Sequence, residues 1–482
     1  MLFNSVQFFA FLLISVVVYF ALPQRGRWVY LLAASYYFYM CWKPEYIVLI
    51  LFSTVVDYFV GLRLGVETRP GMRKLLLVSS LTTNLGLLFA FKYLDFFGQS
   101  AERVFAAFNI FVDVPEYQLL LPVGISFYTF QTLSYTIDVY RGLTPVERHF
   151  GIFALYVSFF PQLVAGPIER SNHLLPQMRV VKRVEYRRFA SGLRLMLWGL
   201  FKKVVVADLV APVVDTIYAS PEAYSGPMLA LATFFFALQI YCDFSGYTDM
   251  AIGTARILGF DLLTNFRQPY YSTSIREFWQ RWHITLSTWF RDYVYKPMGG
   301  NRVRRGRHFF YILFTFTVSG LWHGAGWTFV IWGLLHGLYL VASILTEGWR
   351  ERLRAAVGID ARPRLLHAFR VVFVFCLVVL AWVFFRAESL TDALHILGNL
   401  HRVEGFRVAD LFAVGLPRFE VVLAFLMSAV VFTVDFMIFF RPPRVLSLWR
   451  RRPVRWACYA ACIFAIACFG VFDQVEFIYF QF

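Results

Sequence analysis

Ser319-Gly-Leu-Trp-His-Gly-Ala-Gly-Trp327 is the stretch that decides how this chain folds. It lies inside an almost wholly apolar run, 309–346, yet three glycines fall within seven of its residues. Glycine costs about 1 kcal/mol relative to alanine in a helix interior, so the pattern predicts a break in a long helix. Irregular backbone at membrane depth persists only where it is buried in protein or lines a wet cavity. The break therefore makes His323, which lies between two tryptophans, a candidate functional residue.

A purely structural histidine is the alternative, because most buried polar groups are simply paired with neighbouring carbonyls. Two features favour function. One is the clustering of glycines around His323, and the other is a second histidine upstream, His283.

The composition places this break in a membrane protein. The chain has 482 residues, of which 59% are hydrophobic and 20% aromatic, whereas soluble domains are about 45–50% apolar. Apolar stretches of about 17–25 residues recur, which predicts an all-α polytopic membrane protein with about 10–12 transmembrane helices plus re-entrant and interfacial helices. No linker or repeat divides the chain, so a single membrane-embedded domain over 1–482 is expected. The predicted spans are 4–21, 28–43, 46–62, 75–94, 119–140, 192–214, 228–255, 370–387, 419–440 and 456–472, with a broken pair over 309–346 and an interrupted segment over 150–168.

Charge fixes the expected orientation. The net charge is +16, and loops 170–188, 347–370 and 441–455 each carry six basic residues, whereas 95–118 carries one. The positive-inside rule then places the three basic loops in the cytoplasm, and leaves both chain ends and loops 95–118 and 388–418 outside. This distribution makes a nucleic-acid partner unnecessary. The six cysteines follow no metal-binding or disulfide pattern, so no metal site is expected.

A second constellation occupies 277–293. Its spacing predicts one amphipathic helix at the cytoplasmic membrane surface, with Glu277 and Arg281 paired one turn apart on the polar side. The face predicted to point inward carries Trp279, Trp282, His283, Leu286, Trp289, Phe290 and Tyr293. An amphipathic helix explains the tryptophans but not the histidine, so His283 is the second candidate catalytic residue.

Other polar or aromatic residues in or beside the spans are candidates for lining a substrate channel, although each could equally hold helices together. These candidates are Gln131, Asp243, Trp279, Arg281, Trp282, Ser319 and Trp322. Histidine suits general-base activation of a hydroxyl because its ordinary pKa lies near neutral pH. A dry pocket would protect a thioester from water, so acyl transfer is a plausible chemistry.

At these residues the sequence resembles the membrane-bound O-acyltransferase (MBOAT) family, in its AlgI-like branch of alginate O-acetyltransferases. The matching stretches are FYTFQTLSYTIDVYRG (127–142), FFPQLVAGPIER (159–170), YCDFSGYTDMAIG (241–253), NFRQPYYSTSIREFWQRWHITLSTWFRDYVYKPMGGNR (265–302), VSGLWHGAGWTFVIWGLLHG (318–337) and FIYFQF (477–482).

The resemblance implies a ring of helices around a central channel, with a catalytic core over 120–340 flanked by 1–119 and 341–482. It implies that His323 takes the place of the family's active-site histidine and that His283 takes the second polar position. It further implies acetyl-CoA as the donor substrate, no permanently bound cofactor, and a bacterial inner membrane location. The expected partner is a periplasmic SGNH-type acetyltransferase or another polymer-acetylation protein.

Three alternatives stay open at this point: D-alanyl transfer from a carrier protein to teichoic acids, a proton-coupled transporter in which His323 and buried acids relay protons, and a non-catalytic scaffold.

Overall fold

The computed structural model of the chain describes residues 1–110, 115, 121–164, 166–412, 414, 416–472 and 477–478. These residues form α-helices joined by 3₁₀ and π turns, with no strand among them. The N-terminal helices are α1 (Val6–Ala21), α2 (Gln24–Met40), α3 (Ile47–Val66), α4 (Pro70–Lys92), α5 (Leu94–Ala107), α6 (Ile125–Tyr140), α7 (Phe150–Ser158), α8 (Phe160–Leu163), α9 (Ser171–Arg179), α10 (Tyr186–Phe201), α11 (Asp208–Ala219) and α12 (Gly226–Ile257). They are followed by α13 (Ile275–Arg281), α14 (Ile284–Phe290), α15 (Arg305–His323), α16 (Trp327–Leu345), α17 (Glu347–Val357), α18 (Pro363–Arg386), α19 (Leu390–Asn399), α20 (Arg418–Phe440), α21 (Pro443–Arg450) and α22 (Arg452–Phe469).

Seven of the described helices are long and apolar enough to cross a membrane. They are α3 with its preceding turn, α4, α12, α16, α18, α20 and α22. Helix α1 and the stretch Phe150–Leu163 are apolar but shorter, and a single-residue step at Phe159 divides the latter between α7 and α8. The prediction of an all-α polytopic membrane protein is confirmed, as is the interruption within 150–168. The first two residues of the predicted span 119–140 lie outside the described ranges.

The span predicted over 192–214 is helical throughout, but it is not one regular α-helix. The chain there runs as α10, a π turn over Lys202–Ala207, and then α11, which contains Pro212. Proline lacks an N–H group and its ring clashes with the carbonyl four residues earlier, so the regular hydrogen-bond ladder cannot continue through it. The hydrogen-bond pattern changes from the α-helical to the π-helical one over Lys202–Ala207, just before Pro212.

The described chain clusters into two compact units. The first unit comprises Met1–Met196 with Thr248–Leu263, and the second comprises Leu197–Tyr247 with Thr264–Phe482. The expected ring of helices, its central channel and the single-domain organisation stay predictions.

Within the first unit, a buried polar cluster joins α3, α4 and α6. The Asp57 carboxylate accepts hydrogen bonds from the hydroxyl of Ser80, from Asn84 Nδ2 at 2.9 Å and from Thr136 Oγ1 at 3.2 Å. A charged group in a membrane-spanning helix is expensive unless hydrogen bonds satisfy it, and here three donors do so. The cluster therefore fixes these three helices to one another.

Within the second unit, α15 and α16 form a tight antiparallel hairpin. A methyl group placed on Gly320 would lie 3.0 Å from the Cα of Gly333, and one placed on Gly333 would lie 3.0 Å from the Cα of Gly320. Only glycine at both positions permits this approach of the two backbones, which resembles the small-residue contacts of membrane helix pairs. The hairpin positions His323, the last residue of α15.

Candidate active site

His323 ends its helix where the sequence predicts a break. Helix α15 stops at His323, residues 324–326 are non-helical, and α16 begins at Trp327. Gly324 lies against the ring of Phe329, which leaves no room for a side chain. The predicted break is confirmed, but Gly320 lies within α15 and serves helix packing instead.

The prediction of one helix over 277–293 is wrong. Helix α13 ends at Arg281, α14 begins at Ile284, and His283 between them adopts φ 39° and ψ 55°. This left-handed conformation is uncommon for a residue with a side chain and costs roughly 1–2 kcal/mol. His283 caps the start of α14, where its carbonyl accepts a hydrogen bond from the Ser287 N–H at 3.0 Å.

Asn265 holds the strained backbone at this break. Its carbonyl accepts from the Ile284 N–H at 2.9 Å, and its Oδ1 accepts from Thr285 N at 3.3 Å and Oγ1 at 2.6 Å. Neither glycine nor proline occurs near 283, so no local sequence signal marks the break. The brace comes from a residue 18 positions upstream of His283.

The two histidines lie together. Their ring centroids are 6.3 Å apart, and the exposed fractions of His283 and His323 are 0% and 2%. Trp322 contacts both, with its centroid 6.0 Å from His283 and 4.9 Å from His323. One small bound group would be within reach of both imidazoles.

Aromatic side chains surround His283 and His323. Phe244 meets His283 edge-on at 4.7 Å, while Trp332 and Phe385 lie 4.9 and 5.4 Å from His323. Burial lowers the pKa of His283 to about 3, so its imidazole is neutral at physiological pH. A neutral imidazole can accept a proton or donate a hydrogen bond.

A third histidine, His336, extends the cluster. Its Nδ1 accepts from Trp279 Nε1 at 3.3 Å, and its ring lies 5.0 Å from Trp332. Trp279 is thus brought into the aromatic cluster as a hydrogen-bond partner of His336.

Trp282 and Ser319 also lie in this region. The indole of Trp282 is fully buried and lies 5.0 Å from that of Trp382, which stacks on Trp332 at 5.6 Å. Ser319 is buried one helical turn before His323. Of the candidate lining residues, Trp322 contacts His283 and His323, Trp279 contacts His336, and Trp282 contacts Trp382 of the same aromatic cluster. Their roles in transfer stay predictions, as does that of Ser319.

Asp243 belongs to a buried ion network. Lys203 Nζ lies 2.9 Å from Asp243 Oδ1 and 2.8 Å from Asp208 Oδ1, and the Ile478 N–H donates to Asp243 Oδ2 at 2.8 Å. The carboxylate therefore has a cation and a backbone donor as partners. The network links the site to the stretch 477–478, since Phe477 packs on Phe244 at 5.7 Å.

Arg281 and Gln131 have other partners. Arg281 Nε pairs with Glu277 at 2.9 Å, as its spacing predicts, and its guanidinium lies 4.6 Å above Phe439. Gln131 belongs to the first unit, where its Nε2 donates to the Tyr156 carbonyl at 2.6 Å and its Oε1 accepts from Gln162 at 2.9 Å. The predicted place of both residues in a substrate channel stays a prediction.

Sequence reasoning missed four neighbours of the site. Trp332, Trp382 and Phe385 lie in apolar runs where nothing distinguishes them from lipid-facing residues, and Lys203 lies in the predicted span 192–214. A lysine in an apolar run is itself a signal of a buried acidic partner. Among the described residues, no group of three or more potential metal ligands is found.

Comparison with known proteins assigns the family. The profile of the membrane-bound O-acyltransferase family matches residues 149–387, which include His283, His323 and His336. The chain is 40% identical to the probable alginate O-acetylase AlgI of Azotobacter vinelandii, over 85% of this chain and 79% of that protein. It is 36% identical to the peptidoglycan O-acetyltransferase of Helicobacter pylori, over 85% of this chain and 82% of that protein. A more distant similarity, 26% over 50% of this chain and 63% of the relative, is to the teichoic acid D-alanyltransferase of Bacillus subtilis. The chain therefore belongs to the membrane-bound O-acyltransferase family and is a multi-pass membrane acyltransferase.

Proposed function

We propose that this acyltransferase takes acetyl groups from cytosolic acetyl-CoA and passes them across the bacterial inner membrane for O-acetylation of an exopolysaccharide such as alginate. The observation that carries the proposal is the buried pair His283 and His323, 6.3 Å apart within an aromatic wall. The similarity to a probable alginate O-acetylase and to a peptidoglycan O-acetyltransferase supports acetyl as the transferred group.

His323 acts as the general base in this proposal. One of its ring nitrogens takes the proton of an acceptor hydroxyl while the hydroxyl oxygen attacks the thioester carbonyl carbon. The carbon–sulfur bond then breaks, and the departing thiolate receives the proton from the imidazolium. The products are an acetyl ester and the CoA thiol.

His283 has a supporting role in the same step. Its neutral ring lies close enough to His323 for one bound group to contact both, so it orients that group or the His323 ring. The left-handed backbone at His283 fixes the ring direction, as expected where strain is kept at a functional position.

The aromatic wall excludes water from the thioester. Phe244, Trp322, Trp332 and Phe385 surround the two imidazoles and offer hydrolytic water few polar partners. Excluding water from an active site suppresses side reactions such as hydrolysis.

Transfer of labelled acetyl groups tests the function. Purified protein is reconstituted in vesicles with [¹⁴C]acetyl-CoA on the side of the arginine-rich loops, and label that reaches an acceptor on the opposite side is counted. Label is expected to cross with the native protein and not with His323→Ala. Transfer only from a D-alanyl carrier, or passage of intact acetyl-CoA, would overturn the proposal.

The acceptor outside is a partner protein rather than the polymer itself. A polysaccharide brought to a buried histidine would lose water from many hydroxyls, and each unpaired hydroxyl costs about 1–3 kcal/mol. A single serine of a periplasmic SGNH-type acetyltransferase avoids this penalty. Purified chain with acetyl-CoA and alginate is expected to give negligible acetylation until the partner is added, and efficient acetylation by the chain alone would refute this step. Replacing alginate with peptidoglycan in the complete system tests the other polymer that the similarity to a peptidoglycan O-acetyltransferase suggests.

Orientation is tested by thiol labelling. In a variant without native cysteines, Ser447→Cys in the arginine-rich segment 441–455 is expected to resist a membrane-impermeant reagent in intact cells. Glu404→Cys, in the segment 388–418, is the matched outside position and should be labelled. Labelling of Ser447→Cys from outside would reverse the proposed topology.

A further inference from the structure

The first unit contains a cavity that the proposed reaction does not use. It has a volume of about 250 Å³ and is partly open to the surface. Its lining includes Tyr19 near the end of α1, Gln24 and Arg27 in the first turn of α2, His149 and Arg179. Pockets for drug-sized ligands measure about 300–1,000 Å³, so this cavity suits a small polar headgroup better than a whole nucleotide cofactor.

Arg27 brings a positive charge to this cavity. Its guanidinium donates to three backbone carbonyls, those of Leu22 at 3.0 Å, Lys182 at 2.6 Å and Phe20 at 3.3 Å. None of these acceptors carries a net charge, and no carboxylate pairs with Arg27 in the parts of the chain that the structure describes. The three bonds therefore hold the side chain in place without neutralising it.

A second cation lies beside the cavity. The Lys182 ammonium is 4.8 Å from the ring centroid of Phe260, which is part of the lining. Arg179 also lines the cavity, but it is paired with the Glu147 carboxylate and adds no net charge. The unbalanced charge around the cavity therefore comes from Arg27 and Lys182, and its sign favours an anionic ligand.

His149 and Gln24 add one hydrogen-bond donor and one acceptor. His149 Nδ1 accepts from the Ile152 N–H at 3.2 Å, so in the neutral ring the proton resides on Nε2, which can donate. Gln24 Oε1 is buried, and no donor reaches it within the described ranges. Since the large majority of buried polar atoms have a partner, this oxygen indicates a ligand that donates a hydrogen bond.

The cavity lies where lipid headgroups are expected. Helix α1 is apolar, and its Leu13 and Val17 side chains are 68% and 61% exposed, as on a helix side that contacts lipid. The hydrogen bond from Arg27 to Lys182 places the turn between α1 and α2 beside the basic loop 170–188, which is predicted to be cytoplasmic. Basic segments beside apolar helices attract anionic phospholipids.

We propose that this cavity binds the headgroup of an anionic phospholipid with free hydroxyl groups, such as phosphatidylglycerol. The phosphate interacts with the charges of Arg27 and Lys182 and accepts a hydrogen bond from His149 Nε2. A headgroup hydroxyl donates to Gln24 Oε1, and the acyl chains follow the exposed side of α1. The bound lipid thereby ties the α1–α2 turn to the loop 170–188, independently of the proposed reaction.

Lipid titration tests the site. The purified chain is stripped of lipid in detergent and titrated with dioleoyl-phosphatidylglycerol or dioleoyl-phosphatidylcholine, and the bound fraction is read by native mass spectrometry. The two lipids share acyl chains and a phosphate, but the choline headgroup has no hydroxyl and its quaternary ammonium cancels the phosphate charge. Gln24→Met removes the acceptor while keeping the side-chain length. Gln7→Met, at an exposed position in the first turn of α1, is the matched control.

The native chain should bind one phosphatidylglycerol molecule, more tightly than phosphatidylcholine. Gln24→Met should weaken phosphatidylglycerol binding about fivefold, the effect of losing one hydrogen bond, and leave phosphatidylcholine binding unchanged. Gln7→Met should alter neither. Equal affinity for the two lipids, or an unchanged phosphatidylglycerol affinity in Gln24→Met, would overturn the assignment.

His149→Asn tests the phosphate contact. Asparagine is a good N-cap residue, so this variant keeps the cap of α7 but withdraws the Nε2 donor. Because both lipids carry a phosphate, it should weaken both about fivefold, and unchanged binding would place the phosphate elsewhere and refute the site.

Competition identifies the source of the phosphate. Glycerol 1-phosphate, inorganic phosphate and acetyl-CoA are added in turn to the complex of the native chain with phosphatidylglycerol, and none should displace the lipid. Displacement by either small phosphate would make the cavity a site for a soluble anion, and displacement by acetyl-CoA would make it part of the donor site. Each of these results would overturn the lipid assignment.

Discussion

The second unit contains two buried polar regions that differ in charge: the ion network around Lys203 is built from paired charges, whereas the pair His283 and His323 lies among uncharged aromatic rings. In the ion network, Lys203 lies between Asp208 and Asp243, and each charge faces an opposite charge within 3 Å. Around His283 and His323 the neighbours are aromatic rings, and His283 is neutral. A paired charge stabilises one arrangement of helices and is not available for chemistry. A neutral imidazole in an apolar wall contributes less to stability but can exchange a proton.

The largest expected effect is the loss of activity when a histidine of the candidate site is removed. His323→Ala should lower acetyl transfer by about 10²–10⁴-fold, because loss of a general base has that consequence. Transfer is measured with labelled acetyl-CoA at equal amounts of folded protein. His336→Ala, at a histidine of the same cluster, is the matched variant and should have a milder effect. Near-normal transfer by His323→Ala at normal protein levels would remove the catalytic assignment.

Disrupting the ion network should lower stability and leave activity largely intact. Lys203→Met leaves two buried carboxylates without their cation, and breaking a buried ion pair typically costs about 3–5 kcal/mol. We expect a large drop in melting temperature in detergent, while the transfer rate per folded molecule stays within a few-fold of native. A loss of activity as large as that of His323→Ala, in protein of native stability, would mean that the network takes part in the reaction.

Acid should act on stability through His283. Its folded pKa of about 3 lies below the unfolded value near 6.5, so between these values the unfolded chain binds a proton that the folded chain does not. The stability that the neutral ring contributes is complete above pH 6.5 and is lost as the pH falls towards 3. Between pH 7 and 5 this group alone should remove about 2 kcal/mol. The native protein should therefore lose more stability over that interval than His283→Asn, and equal losses in melting experiments would place the ring in a more polar environment.

The smallest effect concerns the strained backbone at His283. Both His283→Ala and His283→Gly remove the ring and should impair transfer. Glycine adopts positive φ without penalty, so the glycine variant should be about 1 kcal/mol more stable than the alanine variant. If the alanine variant is the more stable one in thermal unfolding, the backbone there is not left-handed.

Sequence patterns predicted the features that depend on composition and glycine. The apolar runs gave the membrane class, and the glycines around His323 predicted the break that ends α15 there. The i,i+4 spacing of Glu277 and Arg281 predicted their ion pair. These features are local, and their physical causes lie within a few residues of one another.

The remaining features depend on contacts between distant residues. The apolar periodicity over 277–293 favours one helix. Asn265, however, accepts hydrogen bonds from the backbone N–H groups of Ile284 and Thr285 and so stabilises a break that no local residue requires. Likewise, the sequence does not distinguish Trp332 and Trp382 from ordinary apolar residues, but in the structure Trp332 contacts His323 and Trp382 stacks on Trp332. Tertiary hydrogen bonds and packing therefore decided the details of the site.

The glycine contact between α15 and α16 has a mechanical consequence. Membrane helices respond to bilayer thickness by tilting, and independent helices tilt by different amounts. The backbones of α15 and α16 touch at Gly320 and Gly333 with no side chains between them. The two helices therefore tilt together as one rigid hairpin. His323, the last residue of α15, then keeps its distance from Trp332 of α16 whatever the lipid chain length. Reaction geometry is thereby insulated from the elastic fluctuations of the membrane in which the enzyme works.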